Sequence, residues 1–126
     1  MTPKAARRLA QAERFLQQAT VLDPAVSPEG VIHLSYYAMF HGAAAVLLDR
    51  TGSAPKTHSA MIAQFGALAR TAGADAQRLA HQFNRAGDRR LIADYNDVPV
   101  VTSDDAARLR DDAKEFVALC RQLLGV

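Results

Sequence analysis

The chain has 126 residues, 49% of them hydrophobic, with 7 glycines, 5 prolines and a single cysteine. That length gives one domain, residues 1–126, with a core of its own and no room for a second, and one cysteine excludes a disulfide framework. Fifteen Lys and Arg against thirteen Asp and Glu leave a formal charge of +2, which permits contact with nucleic acid without arguing for it.

Many alanines and few β-branched runs favour helices. Residues 1–19 mix Lys and Arg with alanines and hold no apolar run of the signal-peptide kind, so a cytoplasmic, bacterial-type protein is expected. Thr2-Pro3 reads as an N-cap followed by proline at the first helical position. Ala5, Leu9, Ala12, Leu16 and Ala19 then form an inner stripe, widened by Phe15 and Leu22. Lys4, Arg7, Arg8, Arg14 and Gln18 take the outer face, and Asp23-Pro24 ends the helix.

Ser27-Pro28-Glu29 repeats the start signal and leads into VIHLSYYAMFHGAAAVLL, residues 31–48. This stretch is apolar almost all round, so it belongs in the middle of a bundle or in a membrane. His33, Ser35 and His41 make a membrane span the poorer choice, since each would need a polar partner in hydrocarbon. The run Gly42-Ala43-Ala44-Ala45 lets neighbouring helices come close, and Tyr36, Tyr37, Met39 and Phe40 supply bulk. Thr51-Gly52 ends this central helix.

Thr57 or Ser59 can cap a third helix with Met61, Ile62, Phe65 and Leu68 inward and Gly73 as its stop. Asp75 starts a fourth, with Ala76, Leu79, Ala80 and Phe83 inward and a bend expected at Gly87. Residues 97–101, with Pro99, read as a loop or extended segment. Ser103-Asp104-Asp105 opens the last helix, which turns Ala106, Leu109, Ala113, Phe116, Val117, Cys120, Leu123 and Leu124 inward and ends at Gly125. Cys120 is a buried small hydrophobe in this reading. The predicted fold is all-α, an antiparallel up-and-down bundle of about five helices.

Few residues offer chemistry. His33 and His41 are about 12 Å apart along one helix, too far to share an ion, and the chain has no HExxH, Cys/His cluster, P-loop or dinucleotide glycine fingerprint. No metal and no cofactor is expected. His33, Tyr36, Tyr37 and His41 read as hydrogen-bonded inner polar groups, with His33 and Tyr37 also candidate ligand contacts. Arg78, Arg85 and Arg89 line one helical face and could hold phosphates, the alternative being pairing with Asp75, Asp88 or the acidic last helix. Arg90 and Asp94 stand one turn apart, a spacing that suits an ion pair.

HxxYYAMFH from His33 to His41, KTHSAM from Lys56 to Met61, RLIADY from Arg90 to Tyr95 and AKEFV from Ala113 to Val117 come in that order and spacing. Together they resemble the HEPN superfamily, in particular the small stand-alone proteins of the UPF0332 group. The resemblance implies a helical bundle that forms a homodimer and partners a minimal nucleotidyltransferase in a toxin–antitoxin-like pair. Ribonucleolytic members carry an arginine and a histidine separated by four to six residues, where the histidine moves protons and the arginine holds the scissile phosphate. No arginine of this chain has a histidine at that distance. The expected function is therefore a non-catalytic binding module that engages nucleotide or RNA through Arg85, Arg89, Arg90 and Tyr95, with no role at a membrane. The alternative is a ribonuclease toxin with a displaced set drawing on Arg90, Asp94 and Tyr95, with His58 or His81 as the proton carrier.

Overall fold

The computed structural model describes residues 1–95 and 101–126, the side chains of residues 92–95 excepted. Five helices fill the described residues: α1 (Pro3–Val21), α2 (Pro28–Thr51), α3 (His58–Ala69), α4 (Ala74–Tyr95) and α5 (Ser103–Leu124). The predicted all-α bundle is the observed one. The expected extended segment at residues 97–101 lies, apart from Val101, outside the described residues.

Three helix starts share one device. The hydroxyls of Thr2, Thr57 and Thr102 accept from the backbone N–H of Ala5, Ala60 and Asp105. Each satisfies a donor that the helix itself cannot. Thr57, and not Ser59, caps α3, while Thr102 stands one residue ahead of the start predicted for α5. Gly52 and Gly125, at φ +82° and +77°, close α2 and α5 in the left-handed region that a side chain disfavours. Helix α4 runs without interruption through Gly87, the position of the expected bend. A Cβ on Gly87 would lie 3.0 Å from Ile62 Cδ1, so its bare backbone admits the side chain of α3.

The four long helices alternate in direction. Thr2 donates to Asp49 across α1 and α2, Arg121 reaches Glu13 between α5 and α1, and Arg78 and Arg89 reach Glu115 and Asp105 between α4 and α5. Helix α2 packs on all four others, as its all-round apolarity requires. By length and composition it could cross a membrane, yet 72% of its most apolar window is buried inside the molecule. Against α5, Gly42 permits a close approach: a Cβ there would sit 3.1 Å from Cys120 Sγ. Cys120 is fully buried, and desolvation pushes its thiol pKa far up, so it packs as a hydrophobe.

Residues 52–57 carry the chain back along α2 before α3 begins. The first residue of α3, His58, lies against Tyr36 and Phe40 in the middle of α2, not beside the α2 C-terminus that precedes it in sequence. From there Phe65 reaches Phe116 and Phe83, with ring centroids 4.9 and 6.3 Å away, in a core shared by α3, α4 and α5. Tyr36, Met39 and Phe40 are all enclosed within one chain; of the four bulky residues of α2, only Tyr37 is half-exposed.

Candidate functional site

The sequence treats Arg85, Arg89 and Arg90 as one basic stripe. The fold divides it, because residues four apart share a helix face while the next residue is turned by about 100°. Arg85 and Arg89 line a groove of about 390 Å³ between α4 and α5, together with Arg108 and Asp105, Asp111 and Asp112. There Arg89 pairs with Asp105 at 3.1 Å. Arg78, about two helical turns before Arg85, pairs with Glu115 at 2.8 Å and more loosely with Asp75 at 3.9 Å. For Arg78 and Arg89 the structure realises the pairing alternative. Asp112 is pushed above the usual carboxylate range, first by burial and then by Glu115.

Arg90 faces a different cleft, of about 680 Å³, between the start of α3 and the second half of α4. Its guanidinium carbon lies 5.4 Å from the centre of the Tyr36 ring, within cation–π range. The Tyr36 hydroxyl is hydrogen-bonded to His58 Nδ1 at 2.8 Å. Thus Tyr36, rooted in the core of α2, positions both an arginine from α4 and a histidine from α3. Ser59 and Asn84 add polar atoms to the walls, and Ile62, Ala63 and the 46%-exposed Leu91 add apolar ones.

The electrostatics agree with this geometry. His58 is lowered from the ordinary histidine range, first by desolvation and then by the Arg90 charge, so its ring is neutral at pH 7. Tyr36 is raised to about 12 because burial outweighs the opposing pull of Arg90. The cleft therefore holds a permanent cation beside a neutral imidazole. The cation can hold an anionic ligand group, and the imidazole can accept a proton or a hydrogen bond.

The other predicted residues fall elsewhere. His81 sits on a separate groove of α3 and α4 with Arg70 and Gln77, away from Arg90. His33 is half-buried one turn before Tyr37. Tyr37 packs against Phe15 and His58, with ring centres 6.1 and 6.0 Å apart. His41 accepts from Arg8 Nη1 at 2.6 Å and lies flat on Phe15 at 5.3 Å. Asp94, Tyr95 and the predicted Arg90–Asp94 pair lie outside the described side chains. Sequence reasoning missed Asn84 as a lining residue and marked Ser59 only as a possible helix cap; the cap signal at Thr57 is the one local feature that places Ser59 at a helix start.

The fold defines a class, the small all-α helical bundles, and sequence comparison places the chain within it. The HEPN domain model matches residues 5–123, and the chain belongs to the HEPN family. It is 32% identical over 127 aligned positions to UPF0332 protein glr0978 of Gloeobacter violaceus, across 94% of this chain and 99% of that one.

Proposed function

We propose that this HEPN protein is a non-catalytic binding module. It works as a homodimer beside a minimal nucleotidyltransferase in a toxin–antitoxin-like pair, and its Arg90 cleft takes a phosphate-bearing group of a nucleotide or RNA. The observation that supports this reading is the placement of Arg90 on the Tyr36 ring at the mouth of a cleft with apolar walls. A guanidinium held in this way loses little rotamer freedom when a phosphate arrives. The absence of an arginine–histidine pair at the family's nuclease spacing removes the usual proton carrier.

One observation favours the ribonuclease alternative. His58 reaches the Arg90 cleft from another helix, so the two groups meet in space without the motif. His58 Nδ1 is already bonded to the Tyr36 hydroxyl, which leaves only Nε2 to carry a proton, and the arginine–histidine spacing of the family's ribonucleases is absent. The binding reading is therefore the stronger.

Incubation with labelled RNA, with and without divalent metal, separates the two. The wild-type chain is expected to leave RNA intact, and titration with AMP or ATP is expected to show binding that Arg90→Ala weakens about tenfold or more. Cleavage by the wild type that disappears in both Arg90→Ala and His58→Ala overturns the binding reading and establishes the nuclease. Co-expression with the nucleotidyltransferase encoded beside it, if the neighbouring gene is one, tests the partnership directly.

A further inference from the structure

We infer that the outward face of α1 is a second binding surface, separate from the Arg90 cleft, for single-stranded nucleic acid: Lys4, Arg7, Arg8 and Arg14 take the backbone, and Phe15 with Tyr37 takes bases.

The helix repeat places these four cations within an arc of about 120° and along about 15 Å of axis. Phe15 falls inside the same arc, whose half-buried Arg8 and Phe15 edge borders the buried stripe of Ala5, Leu9, Ala12 and Ala19, while Lys4, Arg7 and Arg14 are exposed. The one acidic residue of α1, Glu13, is turned away and bound to Arg121 of α5 at 2.6 Å. The face thus carries four positive charges and no negative one, in a chain whose total is only +2. Lys4, Arg7 and Arg14 make no ion pair among the described residues, whereas Arg78, Arg89 and Arg121 all do. At the start of α1, Lys4 and Arg7 also rim a shallow cleft of about 360 Å³. The nearby Asp49 is engaged with the N-terminal amine and the Thr2 N–H.

His41 reports the field on this surface. Its pKa is lowered to about 4, first by burial and then by Arg8 and Arg14. Arg8 also fixes the ring: a guanidinium only donates, so Nδ1 must be the acceptor of their 2.6 Å bond. Phe15 lies parallel to that ring within 6° and packs against Tyr37, and all three rings are half-buried. An acidic peptide would need the cations alone. Half-exposed rings flanked by guanidinium groups suit bases and phosphates together, and only an unpaired strand offers free base faces.

Fluorescence anisotropy with short labelled oligouridylate and oligothymidylate tests the surface, with a duplex of equal length and polyglutamate as the other arms. Arg7→Glu/Arg14→Glu is expected to weaken single-strand binding at least tenfold and to flatten its salt dependence by about 1.4 in log–log slope, because two phosphates lose their cations. Phe15→Leu is expected to weaken it about fivefold or more while leaving weak duplex binding unchanged. The fold-loss caused by Arg7→Glu/Arg14→Glu should be the same, within about twofold, in an Arg90→Ala background, which keeps this surface separable from the cleft. Melting curves check that the exposed Arg7 and Arg14 changes leave the fold intact, and Arg7→Gln/Arg14→Gln repeats the test without charge reversal. Absence of wild-type binding to either oligonucleotide at low salt overturns the inference. So does polyglutamate or duplex binding as tight as the single strand, or binding that survives both α1 variants and vanishes with Arg90→Ala.

Discussion

Gly42→Ala asks how tightly α2 and α5 are locked. On an unobstructed helix the change would stabilise by about 1 kcal/mol, because alanine has the higher helix propensity. Here the new methyl would meet Cys120 Sγ at 3.1 Å and Phe116 Cδ1 at 3.8 Å. Carbon–sulfur contact at that distance is too short, and Cys120 is fully buried with no solvent side to move into. Forcing extra volume into such a core costs about 1–3 kcal/mol, so the net effect expected is a loss of about 0–2 kcal/mol. Cys120→Ala removes the obstructing sulfur and leaves only a Cβ 3.7 Å away, an ordinary contact. In that background Gly42→Ala should instead stabilise by about 1 kcal/mol. Urea unfolding of the wild type, both single variants and the double variant, at one fixed chain concentration, yields a coupling energy of about 1–3 kcal/mol. Equal effects of Gly42→Ala in the two backgrounds, within about 0.5 kcal/mol, would refute the close-approach argument.

Arg110→Ala should cost about 1.5–3 kcal/mol in the same assay, because Arg110 Nη1 donates to the carbonyls of Ala19 and Leu22 at the otherwise open end of α1; an unchanged midpoint would show those bonds to be idle. His41 should titrate near pH 4 by NMR, and since its folded pKa lies below its unfolded one, stability should be complete above about pH 6.5 and fall as the pH drops toward 4. His41→Gln should flatten that slope, and a steeper one would contradict it. Hydrogen exchange should find the amides of residues 31–48 among the slowest in the chain, and fast exchange there would contradict a central α2. Sedimentation at micromolar concentration should give a dimer, whereas a clean 13.6 kDa species would remove the homodimer from the proposal.

The fold was largely legible because its signals are local. Threonine caps, proline at helix starts and glycine after helix ends act within a few residues of where they stand. The central place of α2 follows from the lack of a polar side on one segment. Tyr36, Met39 and Phe40 are enclosed within the one chain because residues 52–57 return along α2 and bring α3 over them. The same return explains why the candidate site was only half legible. Arg90 stands out in sequence by its motif, but its neighbour His58 is 32 positions away. Their meeting depends on residues 52–57 carrying the chain back to the middle of α2. No periodicity encodes that, and proton-carrying candidates near Arg90 in sequence gave no reason to prefer His58 over His81.

Net charge hid more than it revealed, and packing explains why. Five of the thirteen acidic residues, Asp104, Asp105, Asp111, Asp112 and Glu115, lie on α5. Because α5 runs antiparallel to α4, that acidic helix faces the arginine stripe, and it occupies Arg78 and Arg89 in turn. The arginines that looked most available in sequence are thereby the ones most engaged in the fold. Helix α1 meets α5 through Glu13–Arg121 and through Arg110 at its end, so the acids of α5 do not reach its outer cations. A surface ion pair contributes little to stability, yet it decides which charges remain for a ligand. The near-balance of fifteen against thirteen thus resolves into a compensated α4–α5 face and an uncompensated α1 face, and outside the Arg90 cleft binding by charge is to be sought on the second.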